Sequence, residues 1–312
     1  MEQRYKNFDY LRGLAIAAVV LIHLTAPTAL AEESGGIILN QVTRFGVPVF
    51  VFLSGWGLTI AESYERSTSY INFLKKRLAK LIPAYFVWNI IYYLFATFIE
   101  DQSIPIVDFI KGLFLGTNYP HLYFVPLIVL FYIAYPLLMK LGDKLWGVGL
   151  TFAITLISLI TNPTIAGDLT QNQNPLNWLF YFVFGIWIAQ NYEELKNSLN
   201  KYWVIGFLAV STLYIILEPM GLADDIILVQ TRPSILIFSI LIILLNIVYS
   251  NWLQPFSKIL NPLSDYSYPI YLSHYIFIRL FRFLFPTIPI FILFLLILIS
   301  SIGLGILEEK VV

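Results

Sequence analysis

The chain has 312 residues, of which 58% are hydrophobic and 12% charged, with 19 basic and 19 acidic side chains and a mean hydropathy of +0.76. A soluble domain carries about 25% charged residues, so this chain lacks the polar surface to cover a globule in water, and its repeated apolar runs describe a polytopic membrane protein. Cysteine is absent, which excludes disulfides, thiolate metal sites and a cysteine acyl-enzyme.

Ten segments read as transmembrane helices: 13–30, 44–62, 82–99, 122–139, 146–161, 177–190, 203–218, 233–250, 267–284 and 288–307. No repeat and no linker divides them, so residues 1–312 are expected to form one all-α membrane bundle of about ten spans. The N-terminus imitates a signal peptide, with basic residues, an apolar run and small residues at Ala29 and Ala31. An apolar first span followed by many others is expected to be retained.

The first span carries the first unusual feature. In "DYLRGLAIAAVVLIHLT", residues 9–25, Arg12 and His23 are separated by eleven residues. At 100° per residue that is three turns plus roughly 20°, so both side chains share one stripe, about 16 Å apart along the axis. Ionisable groups inside a membrane face a partner or a cavity, and this stripe reads as a path from one surface to the membrane interior. A snorkelling anchor for Arg12 and a helix–helix hydrogen bond for His23 are the structural alternatives.

The second span holds Ser54 and Gly55 in "FLSGWG". Ser54 is a candidate donor to an oxyanion, or the pair serves close helix packing. The basic stretch that follows contains Arg66, Lys75, Lys76, Arg77 and Lys80. It suits a polyanion, and equally the positive-inside bias or attraction to anionic lipid. Residues 104–116 are too short to span and are expected to lie along the outer surface. His121 falls at the outer end of the fourth span, as candidate catalyst or as interfacial hydrogen-bonding group. The loop 162–175 collects Pro, Asn and Gly. In the ninth span, "SYPIYLSHYIFIRLFRF", His274 lies at a depth matching that of His23, with Tyr271 one turn away, and Arg279 and Arg282 follow near the outer end. The two arginines suit a phosphate or an acidic sugar, or snorkel. Aromatic residues, 17% of the chain, supply interface belts or sugar-stacking faces.

Lys and Arg in the short loops set the orientation. All but five of the 19 cations fall on the side of the two termini, the five being Arg44, Lys111, Arg232, Arg279 and Arg282. Both termini are therefore expected in the cytoplasm. A neutral imidazole suits general-base work on a hydroxyl or can itself accept an acyl group. Three histidines without matched carboxylates or metal-ligand spacing do not suggest zinc, and no metal is expected.

These residues carry a family resemblance. "FDYLRGLAIAAVVLIHLT" is similar to the first helix of acyltransferase family 3, with its Arg, ten residues, His pattern. "VPVFVFLSGWGL" resembles that family's second-helix element, and "FLKKRLAKLIPAYFVW" its basic R-x-x-R-x-x-P-x-Y stretch, here Arg77, Lys80, Pro83 and Tyr85. "HLYFVPLIVLFYIAYPLL" resembles the fourth-helix "HLWF" region with Tyr123 in place of Trp, and "SYPIYLSHY" the late S-Y-x-x-Y-L-x-H element. The departures are Lys80 for Arg and Tyr123 for Trp. The five elements occur in family order from residue 7 to about 285.

The resemblance implies a multi-pass protein of the bacterial cytoplasmic membrane that transfers an acyl group, commonly acetyl, from cytoplasmic acyl-CoA to a hydroxyl of a lipid-linked or surface glycan, with succinyl as the alternative donor group. No bound cofactor and no nucleic-acid partner is expected, and nothing corresponds to the SGNH domain of some relatives. His23 would act as base or acyl acceptor, Arg12 would hold a donor phosphate, and His274 or Tyr271 would orient His23 or the acceptor. Arg77, Lys80, Lys76 and Tyr85 would hold the donor, and Arg279, Arg282, Tyr271, Ser54 and His121 would bind the acceptor or support the site. An exporter of a polysaccharide or lipid-linked intermediate is the competing reading, since buried His and Arg also suit a substrate pathway. No inverted repeat or pair of broken helices points that way.

Overall fold

The computed structural model describes residues 5–30, 34–64, 69–161, 171–221 and 230–311. Arg4, Ala31, Arg66 and residues 162–170 of the Pro/Asn/Gly loop lie outside them. In the described residues there is no strand, and thirteen α-helices follow one another. They are α1 (Lys6–Leu30), α2 (Ser34–Val42), α3 (Gly46–Tyr64), α4 (Tyr70–Phe98), α5 (Ile106–Leu115), α6 (Phe124–Gly142), α7 (Leu145–Thr161), α8 (Leu179–Ser198), α9 (Lys201–Leu217), α10 (Pro233–Val248), α11 (Ser257–Asp265), α12 (Ser267–Leu284) and α13 (Ile290–Val311).

Each of the ten predicted segments falls on a helix, with shifted ends. Among the described residues, five helical segments are long and apolar enough to cross a bilayer by length and composition, or six if the bent pair α8–α9 is one span. α7 and α10 are apolar but shorter. The basic stretch 75–80, which by sequence belongs to a loop, is already the first part of α4. α5 has ten residues, about 15 Å of helix against a hydrocarbon core of about 30 Å. It leaves Ile106, Val107, Ile110 and Phe114 exposed and buries Phe109 and Gly112. It ends at Gly116, whose φ of 70° is the left-handed conformation a helix C-cap favours.

Besides the expected surface helix α5, two helices, α2 and α11, have no counterpart among the predicted spans. Nine residues each, they lie below the length of an apolar span, and the sequence "SGGIILNQV" of α2 mixes glycine and amide side chains that read as loop.

The chain divides into two compact units, Met1–Leu53 with Asn191–Val312, and Ser54–Gln190. In the first, α1 is the central helix and packs against α2, α11, α12 and α13. Helices in lipid gain little from the hydrophobic effect and associate through close packing, which favours small residues at crossings. Gly13 meets this need where α1 crosses α11, because a Cβ there would overlap the backbone carbonyl of Leu260. Leu11, Ile16, Val20 and Leu24 fill the rest of the buried surface of α1. α9 exposes Trp203, Phe207, Val210 and Leu213, a surface that lipid tolerates and water does not.

In the second unit, α6 packs against α4 and α7. Gly55 of α3 sits against the backbone of Phe182, where no side chain would fit. Tyr135 donates to Thr59 Oγ1 at 3.3 Å, and Thr59 in turn donates to the Gly55 carbonyl at 3.0 Å.

Candidate active site

The first unit brings His23 of α1 and His274 of α12 together. Their ring centroids are 5.3 Å apart with the planes inclined by 38°. Tyr275 closes on His23 edge-on at 5.5 Å. His274 is completely buried, whereas His23 is only partly covered. Of the two imidazoles, only His23 keeps exposed surface.

The tautomer of His274 follows from its neighbours. Its Nδ1 lies 2.7 Å from the carbonyl oxygen of Tyr271 and 3.1 Å from that of Ile270. Carbonyls only accept, so Nδ1 carries the hydrogen and donates, and in the neutral ring Nε2 holds the lone pair. Tyr271 thus orients His274 through its backbone oxygen, while its own ring stacks on Tyr268 at 6.3 Å.

The turn of α1 that bears His23 is held from two sides. Asn40 of α2, fully buried, donates to the Ile22 carbonyl at 2.9 Å and to Thr25 Oγ1 at 3.0 Å. Thr25 donates to the Leu21 carbonyl at 2.6 Å. Arg44, also fully buried, donates to Asn40 Oδ1. From the other side, Arg282 Nη2 donates to the Leu24 carbonyl at 2.6 Å and ties α12 to α1 one residue beyond His23. The carbonyls of residues 21, 22 and 24 are therefore each engaged by a side chain. A second buried cluster continues from α2: Arg232 donates to Gln41 Oε1 and pairs with Glu218 at 3.1 Å, and Ser234 donates to the same carboxylate at 2.6 Å.

The remaining sequence candidates are placed as follows. Arg12, half-exposed, pairs with Asp9 on its own helix at 3.5 Å. Arg279 is exposed, while Arg282, three residues on, turns in to the Leu24 carbonyl. Ser54, Lys76, Arg77, Lys80, Tyr85 and His121 belong to the second unit. Lys76 and Lys80 are exposed, and Arg77 lies over the Phe73 ring at 5.2 Å. The Tyr85 hydroxyl donates to the Leu113 carbonyl at 2.9 Å, which fastens α4 to α5. His121 is buried edge-on to Tyr92 at 5.3 Å, beside the Asn118–Asn89 hydrogen bond of 2.8 Å. Ser54 is partly exposed next to the tightly packed Gly55.

Asn40, Arg44 and Tyr275 join the site without having been candidates by sequence. The available signal is the i, i+4 spacing of an amide and a cation, Asn40 and Arg44, directly before an apolar span. Counting Arg44 as a loop charge conceals it. Among the described residues no three His, Asp or Glu side chains gather as a metal would require.

The chain is 27% identical over 227 residues to a Staphylococcus aureus (strain MW2) protein named for poly-beta-1,6-N-acetyl-D-glucosamine export, a match covering 66% of this chain and 63% of that protein. The chain thus spans less than two thirds of the length of that Staphylococcus aureus protein. It is 24% identical over 294 residues to a Bacillus subtilis (strain 168) protein named as a membrane-bound acyltransferase, covering 86% of this chain and 80% of the relative. A Staphylococcus epidermidis protein, again named for poly-beta-1,6-N-acetyl-D-glucosamine export, is 25% identical over 295 residues, covering 88% and 81%. No solved structure matches. A family profile described as an acyltransferase domain matches residues 5–307, nearly the whole chain, and the protein therefore belongs to acyltransferase family 3.

Proposed function

We propose that this protein is a membrane O-acyltransferase that moves an acyl group, acetyl or succinyl, from cytoplasmic acyl-CoA to a hydroxyl of a lipid-linked or cell-surface glycan. The observation that carries the reading is the imidazole pair: a partly exposed His23 backed by a buried, tautomer-fixed His274, on a helix turn held by Asn40 and Arg282. Preorganised donors and fixed rings of this kind suit proton transfer in a water-poor site.

In the reaction, His23 takes the proton of the acceptor hydroxyl as its oxygen attacks the thioester carbonyl. The carbon–sulfur bond then breaks, and the proton passes from the imidazolium to the CoA thiolate. In the two-step variant the acyl group rests on His23 before the acceptor arrives. Arg12, three turns from His23 towards the basic end of α1, would hold a donor phosphate, and Arg77 and Lys80 match the motif expected at the donor side. The ten helices that coincide with predicted spans would cross the bilayer with both termini cytoplasmic. Because the chain has no cysteine, single introduced cysteines labelled from one side of the membrane test that topology directly.

Export of a polysaccharide is the second reading, favoured by the names of the staphylococcal relatives. One experiment separates them: mass spectrometry of surface glycans from cells lacking the protein, complemented with wild type or His23→Ala at matched membrane expression. Acyl groups present only with wild type support transfer and identify the donor. Unchanged glycan mass with loss of surface polysaccharide supports export. Full acylation by His23→Ala removes His23 from the mechanism.

A further inference from the structure

At the first turn of α1 the first unit contains a cavity of about 310 Å³, lined among others by Tyr5, Lys6, Asn7, Tyr192, Glu193 and Lys196. We infer that this cavity is the subsite for the nucleotide end of the acyl donor, a conclusion that rests on the acyl-CoA reading above. Its volume lies at the lower end of those that hold small organic ligands.

The lining is specific in kind. Two ammonium groups, Lys6 and Lys196, face one carboxylate, Glu193, so the wall favours an anion. Tyr5 and Tyr192 meet edge-on at 5.1 Å, and Lys196 lies over the Tyr192 ring at 5.9 Å. The two rings give the wall aromatic surface for a base to pack on once Lys196 swings from Tyr192 to a phosphate, and Glu193 is an acceptor for an exocyclic amino group. Phosphate, base and amine together describe an adenine nucleotide better than a bare phosphate.

The wall is built, not incidental. Asn7 is buried and donates to the Tyr192 hydroxyl at 3.3 Å and to the Asn246 carbonyl at 3.2 Å. Trp252 donates to Asn246 Oδ1 at 3.2 Å. α8 departs from helical geometry at Asn191, with φ −120° and ψ 20°, immediately before the residues that line the cavity.

Position along α1 supplies the link to chemistry. Tyr5 immediately precedes α1, and the α1 residues that line the cavity, Lys6, Asn7 and Tyr10, project at roughly 120–220° from the stripe shared by Arg12 and His23. His23 is about 27 Å beyond Tyr5 along the axis, with Arg12 about 10 Å along it. A nucleotide seated at Tyr5 and Lys6 would have to pass its diphosphate around the first turns of α1 to Arg12, from where the pantetheine arm would follow the Arg12–His23 stripe.

The test uses the full-length protein in phosphatidylcholine nanodiscs, with calorimetric titration of coenzyme A and of adenosine 3′,5′-bisphosphate, which lacks the pantetheine arm. Both probes are expected to bind wild type and to compete. Lys6→Ala/Lys196→Ala should weaken both by roughly tenfold or more, the scale of a lost charge-assisted contact. Both lysines are at the surface of the wall, and unchanged thermal unfolding would show that the fold persists. Tyr192→Leu should weaken the bisphosphate as well. If wild type binds CoA and the lysine variant binds both probes as tightly, the pocket assignment falls and the donor reading stands. The pocket assignment falls in the same way if only Arg77→Ala/Lys80→Ala loses bisphosphate binding. If phosphatidylglycerol nanodiscs block the bisphosphate but not CoA, the cavity is a lipid-headgroup site and the inference falls. If wild type binds neither CoA nor acetyl-CoA, both readings fall.

Discussion

Two basic regions of this protein treat their charge in opposite ways. Around His23, Arg44 is completely buried and Arg282 half-buried, and each donates to a named acceptor that bears on one turn of α1. At the start of α4, Lys75, Lys76 and Lys80 are exposed and Arg77 merely lies over Phe73. A buried guanidinium is costly unless paired, so Arg44 and Arg282 fix geometry wherever they stand. Exposed lysines cost little and orient nothing by themselves; they raise the local concentration of anions. Position is thus controlled at the imidazole pair, and attraction at the basic stretch.

The largest effect that would sharpen this contrast is His23→Ala, expected to reduce glycan acylation by about 10²–10⁴-fold, the range lost with a general base. Size-exclusion behaviour and helix content should be unchanged, since His23 is partly exposed. His274→Gln should lose less than His23→Ala. If the two were reversed, the buried ring would be the reacting one. Next in size is Asn40→Leu, which removes the donor to the Ile22 carbonyl and the acceptor of Arg44. A buried donor or acceptor left without its partner costs about 1–3 kcal/mol. A lower unfolding temperature in detergent, together with a reduced acylation rate, should report it. Loss of stability without loss of rate would separate the α2 scaffold from catalysis and break the contrast.

Most of the helical architecture is legible in the sequence because apolar run length and short polar loops determine spans directly. What escapes is what period and length do not encode. The short α2 is hidden by Gly35, Gly36 and the amides Asn40 and Gln41, although those amides are the reason the helix can be buried beside α1. The pairing of His23 with His274 follows from depth alone, because two residues at matched height in one bundle have few places to be. The Leu24–Arg282 bond is not legible, since a backbone carbonyl leaves no mark in the sequence. By sequence Arg282 therefore suggests a ligand for acceptor phosphate, and in the structure it reaches inward to α1. Tyr85 stands in a donor motif by sequence, and its hydroxyl joins α4 to α5.

The smallest expected effect tests the basic stretch itself. Arg77→Ala with Lys80→Ala should raise the KM for acyl-CoA about three- to tenfold and leave kcat unchanged, because an exposed cation that gathers an anion binds ground state and transition state alike. The increase should shrink as ionic strength rises from about 0.01 M to 0.15 M and the screening length falls from roughly 30 Å to 8 Å. Arg77→Lys should keep most of the attraction while losing the planar stack on Phe73, so charge and stacking are separable in one series. Lys76→Ala alone should change KM by less than about twofold. A fall in kcat at unchanged KM, insensitive to salt, would mean that Arg77 or Lys80 acts on the transferring group, and the division between a region that positions and a region that attracts would no longer hold.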